Sequence, residues 1–219
     1  MKLIIFTFPD FISGEIEVIS ELFQNDLEIL HLRKPEKSIK EVENFLMKIP
    51  YKFHNKIVIH NHFDLLQNFD LKGIHLNEKN RKINKKVKQK YQKIISSSFH
   101  SIKEVEDFKN NFFENQFEYF FLSPIFNSIS KINYNSNFSE NELKIACQKK
   151  IIDKKIIALG GMDLDKVSIC KGLGFGGIGI LGYFWKSFTE NKNVCINRNV
   201  NIIVKKFFEI RDRSQIINV

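Results

Sequence analysis

The sequence predicts an α/β fold, a single-domain (β/α)8 TIM barrel over residues 1–219, on three observations. Eight short β-branched or apolar runs alternate with stretches of helical apolar spacing, the pattern of repeated βαβ units and a parallel sheet. A chain of 219 residues holds one substantial core and sits at the lower end of the length eight such units need. Histidines cluster where these runs give way to polar residues, on the face where parallel barrels do their chemistry. An open, doubly wound sheet is the competing architecture if one strand is miscounted.

The first run is Leu3–Phe8, followed by a helical stripe of Ile16, Ile19, Leu22 and Phe23. The second is Leu27–Leu32. Ser38 with Glu41 three residues on is a capping-box pattern, and it opens the stripe Ile39, Val42, Phe45, Leu46 and Ile49. Runs three and four are Lys56–His60 and Gly73–Leu76. Run five, Ile94–Ser98, leads to Ser101 with Glu104 and the stripe Ile102, Val105, Phe108 and Phe112. Tyr119–Leu122 is followed by a polar, Asn-rich loop, Ile129–Phe138, then Ser139 with Glu142 and the stripe Leu143, Ala146 and Cys147. Ile156–Leu159 precedes Leu164, Val167 and Cys170, with Gly172 and Gly174 as helix stops. Gly177–Leu181 is the eighth run, and residues 199–213 read as a closing helix.

Composition narrows the function classes. The hydrophobic fraction of 43% marks a globular chain, and no stretch reaches membrane-spanning length. Leu3–Phe8 is too short for a secretory core and runs straight into Pro9 and Asp10. Cys147, Cys170 and Cys195 are odd in number and widely spaced, which reads as a reduced, cytoplasmic protein without a cysteine-built metal site. The net charge of +9 comes mainly from Lys, abundant together with Asn, Ile and Phe, and A/T-rich codon usage suffices to explain it. The densest basic run, Lys79 to Lys93, lacks interleaved RNA-binding aromatics and reads as a solvated helix face, so neither nucleic acid nor membrane is an expected partner.

Residues just past each run form a donor-rich inventory. His31, Arg33 and Lys34 follow the second, and His60, Asn61 and His62 the third. Asn77, Glu78 and Asn80 follow the fourth, Ser98 and His100 end the fifth, and Ser123, Ser128, Ser130 and Lys131 follow the sixth. Gly160 and Gly161 follow the seventh, and Leu181, Gly182 and Tyr183 the eighth. Cations, hydroxyls and a Gly-Gly turn near a helix start suit an anionic, phosphorylated ligand. Carboxylates are scarce: Glu78 and Asp163 alone stand on that face, a poor set for Mg²⁺. His60 and His62 would share one strand face if that strand continued, which is the most a metal-binding reading of the histidines offers.

Six blocks, in order over roughly residues 2–186, resemble the thiamine-phosphate synthase family, which includes thiazole tautomerases of the TenI type. Leu30-His31-Leu32-Arg33 is similar to its Q-L-R block, and Asp64 to Leu76 to its D-L…D-G-V-H-L block. Ser98-Phe99-His100-Ser101 is similar to S-x-H-S, and Ser123 to Lys131 to G-P-V-F-x-T-x-T-K. Ala158 to Met162 is similar to A-I-G-G-I, and Gly177 to Gly182 to the last-strand block. The resemblance implies a (β/α)8 barrel joining a hydroxymethylpyrimidine diphosphate to a thiazole phosphate with Mg²⁺. It implies that Arg33, Ser128, Ser130 and Lys131 bind the diphosphate, and that Gly160, Gly161, Leu181 and Gly182 bind the thiazole phosphate. His31, Lys34, His60, Asn61 and Ser98 complete the expected substrate contacts, with Arg33, Lys131, His31 and His60 as the catalytic set.

The metal positions depart from the family. Its aspartates fall on Asn61 and Asn80, amides without charge for a dication. His31 stands at the family's glutamine, and His60 at the asparagine of its N-D pair. Pro124 stands where the tautomerases carry histidine, as in the synthases. Three functions are therefore open: a divergent synthase, a tautomerase using His31, His60 or His100 as acid and base, and a non-catalytic phosphate-binding barrel.

Overall fold

The structure, a computed structural model, describes residues 1–81, 93–110, 116–127, 135–190 and 196–215. Eight parallel strands close on themselves: β1 Lys2–Phe6, β2 Ile29–Leu32, β3 Ile57–Ile59, β4 Gly73–Leu76, β5 Ile94–Phe99, β6 Tyr119–Leu122, β7 Ile156–Leu159 and β8 Gly177–Ile180. Pairing of β1 with β8, Leu3 beside Ile178 and Ile5 beside Ile180, makes the barrel and rules out the open sheet. A closed parallel sheet with helices outside buries both strand faces, so its strands read as nearly unbroken apolar runs. Alternate residues separate two cores. Ile4, Phe6, Ile29, Val58, Tyr119, Phe121 and Ile157 fill the barrel interior, while Ile5, Leu30, Ile59, Ile74, Phe120 and Ile178 face the helix layer.

The helices follow their sequence signals. Those described are α1 Glu15–Gln24, α2 Ile39–Met47, α3 Glu78–Arg81, α4 Ile102–Lys109, α5 Glu140–Gln148, α6 Lys166–Gly172, α7 Gly182–Glu190 and α8 Ile196–Gln215. Ser38 with Glu41 and Ser139 with Glu142 form complete capping boxes. Ser101 caps α4, but the Glu104 carboxylate accepts the His100 N–H instead of closing the box. Ile39, assigned to the buried stripe of α2, is 45% exposed, because at the first helical position it projects beyond the barrel surface. The closing helix runs longer than expected, packs on α1, α6 and α7, and buries Ile203, Phe207 and Ile210.

β3 is shorter than its apolar run. It stops at Ile59, and His62, in the left-handed region at φ 56°, turns the chain into a 3₁₀ segment, Phe63–Gln67. His60 and His62 therefore do not share a strand face. His62 Nε2 bonds instead to the Lys37 carbonyl at 2.8 Å, in the loop between β2 and α2.

Candidate active site

The C-terminal strand ends open into a cavity of about 480 Å³. Phe6, His75 and Gly179 belong to its lining from the barrel interior. Around the rim stand Arg33 after β2, His60 and Asn61 after β3, Asn77 and Glu78 after β4, Ser98 and His100 at the end of β5, and Ser123 after β6. Leu159 to Met162 and Leu181 to Tyr183 complete the wall.

The β7 and β8 ends form one wall of the cavity from glycine-rich backbone. Gly160 and Gly161 take φ of 95° and 64°, a backbone that side-chain-bearing residues rarely adopt. A Cβ on Gly161 would lie 2.3 Å from the Asn127 carbonyl oxygen. The segment after β6 is bonded to this turn, through Ile125 N–H to the Leu159 carbonyl at 2.9 Å and Phe126 N–H to the Gly160 carbonyl at 3.1 Å. Helix α7 begins at the same wall. Its Phe184 and Trp185 amides bond the Leu181 carbonyl, which leaves the Gly182 and Tyr183 amides ahead of the helical ladder. Free amides at the positive end of a helix favour a phosphate. The Trp185 indole N–H donates to the Phe6 carbonyl at 2.7 Å and pins α7 to β1.

Arg33 stands on the other side of β1 from α7. Its backbone is clamped by Thr7, whose hydroxyl accepts the Arg33 N–H at 2.9 Å and donates to the Arg33 carbonyl at 3.3 Å. Among the described residues no carboxylate pairs with its guanidinium.

Three imidazoles meet between these walls. His31 Nδ1 lies 2.9 Å from His60 Nε2, and His31 Nε2 lies 2.6 Å from the Tyr119 hydroxyl. His75 bonds two serines, Ser96 at Nδ1 and Ser98 at Nε2, each at 2.9 Å. Burial holds His31 and His60 well below the usual imidazole range, with the neighbouring His75 adding to the effect, and brings His75 down to about 3. All three are neutral imidazoles at pH 7. His31 is fully buried beneath the cavity and bonded on both nitrogens, so the side chain expected to touch substrate touches only protein. His100 lines the rim, its Nδ1 bonded to the Ser123 carbonyl at 2.9 Å.

A family model described as thiamine monophosphate synthase matches residues 6–182. The chain belongs to the thiamine monophosphate synthase family. Among solved structures it is similar to thiamine phosphate pyrophosphorylase from Bacteroides thetaiotaomicron, with 37% identity, 98% of both chains covered and a TM-score of 0.80. It is also similar to thiamine phosphate pyrophosphorylase from Pyrococcus furiosus, with 15% identity, 98% and 95% coverage and a TM-score of 0.72. At 11% identity and a TM-score of 0.64, 3-hexulose-6-phosphate synthase shares the fold. No curated protein sequence matches the chain.

Membership in the thiamine monophosphate synthase family implies Mg²⁺, and the side chains present do not fit it. Mg²⁺ takes hard oxygen donors, usually with one or two carboxylates. Asn61 lines the cavity, but Asn80 does not; its amide N–H is bonded to the Asn77 side-chain oxygen at 2.9 Å as α3 begins. Among the described residues Glu78 is the one carboxylate in the lining. Among the described residues the one convergent set of three metal-ligating side chains is His31, His60 and His75, all nitrogen donors.

Lys34 is also placed away from the expected substrate contact. Its ammonium is buried, 2.5 Å from Glu15 and donating to the Phe8 and Asp10 carbonyls at 2.9 and 2.7 Å. It ties the β1–α1 loop down rather than facing the cavity. Ser128, Ser130 and Lys131 lie outside the described residues. Sequence reasoning passed over Tyr119 and Ser96, which sit mid-strand in apolar runs. The signal was period two: Tyr119 shares its face with the interior residue Phe121, and Ser96 with Ser98.

Proposed function

We propose that this barrel is a thiamine-phosphate-synthase-like transferase, joining a hydroxymethylpyrimidine diphosphate to a thiazole phosphate. The observation that carries the reading is one cavity with two anion-binding elements. These are the Gly160–Gly161 and Gly182–Tyr183 amides on the β7–β8 side and, on the β2 side, the Arg33 guanidinium, which pairs with no carboxylate among the described residues. The amide cradle holds the thiazole phosphate. In the chemical step the bond from the pyrimidine methylene carbon to the diphosphate oxygen breaks. The thiazole nitrogen bonds that carbon, and diphosphate leaves. Arg33, joined by Ser128, Ser130 and Lys131 of the Ser-x-Ser-Lys block, stabilises the charge that builds on the departing diphosphate. The Phe6 ring, Leu159 and Met162 supply apolar surface for the two heterocycles.

Incubation of the purified chain with both substrates, across pH and with and without Mg²⁺, is expected to give equal amounts of thiamine phosphate and pyrophosphate. Arg33→Ala should lower the rate by about 10²–10³-fold, the usual loss for one preorganised charge-stabilising donor. Absence of product under all these conditions ends this reading.

The neutral imidazoles favour a second reading, proton transfer on a thiazole phosphate in the manner of the TenI-type tautomerases. His60 is then the acid–base group, since it lines the cavity and His31 does not. A solvent-deuterium exchange assay on the thiazole substrate tests it. Exchange no faster than without protein removes it.

A further inference from the structure

Arg33 and His60 stand at neighbouring strand ends. In the β2–β3 register Leu32 lies beside Ile59, so the next residues, Arg33 and His60, share a level, and both line the cavity. One level down, His31 lies beside Val58 and meets Tyr119 of β6. Two hydrogen bonds rise through these side chains: the Tyr119 hydroxyl with His31 Nε2 at 2.6 Å, and His31 Nδ1 with His60 Nε2 at 2.9 Å. Their direction decides what His60 offers a ligand.

Each neutral imidazole carries one N–H and one bare nitrogen, so the direction of the first bond fixes that of the second. Tyr119 is fully buried, and among the described residues hydrogen-bond geometry joins its hydroxyl to His31 alone. Were the hydroxyl to accept from His31, its own proton would be buried without an acceptor, which disfavours that direction about 5- to 150-fold. The distance agrees. A separation of 2.6 Å lies within the range of an O–H donor and below that of an N–H donor to oxygen. Burial pushes the Tyr119 hydroxyl up from its ordinary value, so it keeps the proton it donates. Tyr119 therefore donates to His31 Nε2. His31 carries its proton on Nδ1 and donates to His60 Nε2, and His60 is left with its proton on Nδ1. Burial keeps both rings neutral, so neither holds a second proton that would relax this order. His60 Nδ1 bonds no other described residue and, on a ring that lines the cavity, is open to it.

We propose that Tyr119 and His31 are positioning residues that lock His60 in its Nδ1–H tautomer, and that this N–H, beside Arg33, donates to a diphosphate oxygen of the ligand.

The inference rests on the transferase reading above and deepens it. A neutral N–H beside a guanidinium adds a hydrogen bond to an anionic oxygen without burying a second charge. The lock also leaves His60 no bare nitrogen toward the cavity, so it takes no ligand proton there, as the tautomerase reading requires. With the Tyr119 proton on one nitrogen of His31 and its own proton on the other, that ring has no free lone pair for a metal.

Nitrogen-15 NMR of the full-length, histidine-labelled chain at pH 7 reads the tautomers. His31 and His60 should both show a protonated Nδ1 and a bare Nε2. Tyr119→Phe deletes the donor and should give His60 a measurable Nε2–H population, which a merely structural role for Tyr119 would not produce. Calorimetry with inorganic pyrophosphate, with and without Mg²⁺, should show binding that His60→Ala weakens about 10- to 150-fold, the worth of one hydrogen bond to a charged group. An Nε2–H tautomer of His60 in the unmutated chain, or an unchanged tautomer in folded Tyr119→Phe, overturns the lock. If Tyr119→Phe does not fold, the tautomers of the unmutated chain still decide it. No binding of pyrophosphate, or binding that His60→Ala leaves unchanged, overturns the contact. Pyrophosphate that binds as expected while no thiamine phosphate forms counts against the proposed function alone.

Discussion

Lys34 and Glu15 show how one residue can carry a different meaning in the fold than in the chain. Next to Arg33, Lys34 reads as a second phosphate ligand. In the barrel its charged end is fully buried, and so is the carboxylate it meets. Burial raises Glu15 to about 7 against the pull of Lys34, and burial lowers Lys34 against the pull of Glu15. Glu15 also accepts the Phe8 N–H at 3.0 Å, so the pair fixes the loop leaving β1 from both ends. Removing one partner leaves an uncompensated buried charge, so Lys34→Met is expected to cost about 3–5 kcal/mol. Glu15→Leu combined with Lys34→Met should recover most of that loss. Urea unfolding of the two single variants and the double variant measures the coupling. A Lys34→Met protein of undiminished stability but weakened substrate binding would return Lys34 to the site. Nothing local in the sequence reveals the pair, because its members lie 19 residues apart and meet only when β2 docks beside β1.

At the scale of elements, the sequence was legible wherever a local rule decides structure. Strand runs, the Ser38 and Ser139 capping boxes and the left-handed stop at Gly174, just past the helix end at Gly172, all come from nearest-neighbour chemistry. The end of β3 was not legible, because a left-handed histidine at position 62 carries no glycine to announce it. The Gly160–Gly161 turn was visible as a flexible pair, but its reason is tertiary. The β6 segment closes over it, so that a side chain at 161 would meet the Asn127 carbonyl. Gly161→Ala forces the turn out of its left-handed backbone at a cost of about 1–3 kcal/mol. The displaced amides should then lower affinity for thiazole phosphate about tenfold or more. Calorimetry with thiazole phosphate, alongside urea unfolding, separates the two effects. Lost stability with unchanged affinity would mean that the phosphate sits elsewhere.

For the whole molecule, closure of the barrel brings His31, His75, Ser96 and Tyr119 from four strands into one interior layer, a grouping that follows from register and not from any motif. That layer couples the fold to pH. In the unfolded chain His75 titrates near its ordinary value of about 6.5; in the barrel it titrates near 3. Between those values the unfolded state binds the extra proton, so the stability from His75 is complete above about pH 6.5 and is lost as pH falls toward 3. At pH 5 the loss is about 2 kcal/mol for each imidazole so depressed, and His31 behaves in the same direction. Glu15 opposes them. Its carboxyl is raised, so from about pH 7 down to 4.5 the folded state holds the extra proton, and acid favours folding through that group. Two or more imidazoles against one carboxyl leave the molecule less stable at pH 5 than at pH 7.5. Urea midpoints at those two pH values read the net effect, and His75→Gln isolates one part of it. An amide keeps bonds to Ser96 and Ser98 but cannot take the proton, so the variant should lose about 2 kcal/mol less than wild type over the same interval. Equal pH sensitivity in the two proteins would mean that His75 can be protonated in the folded barrel.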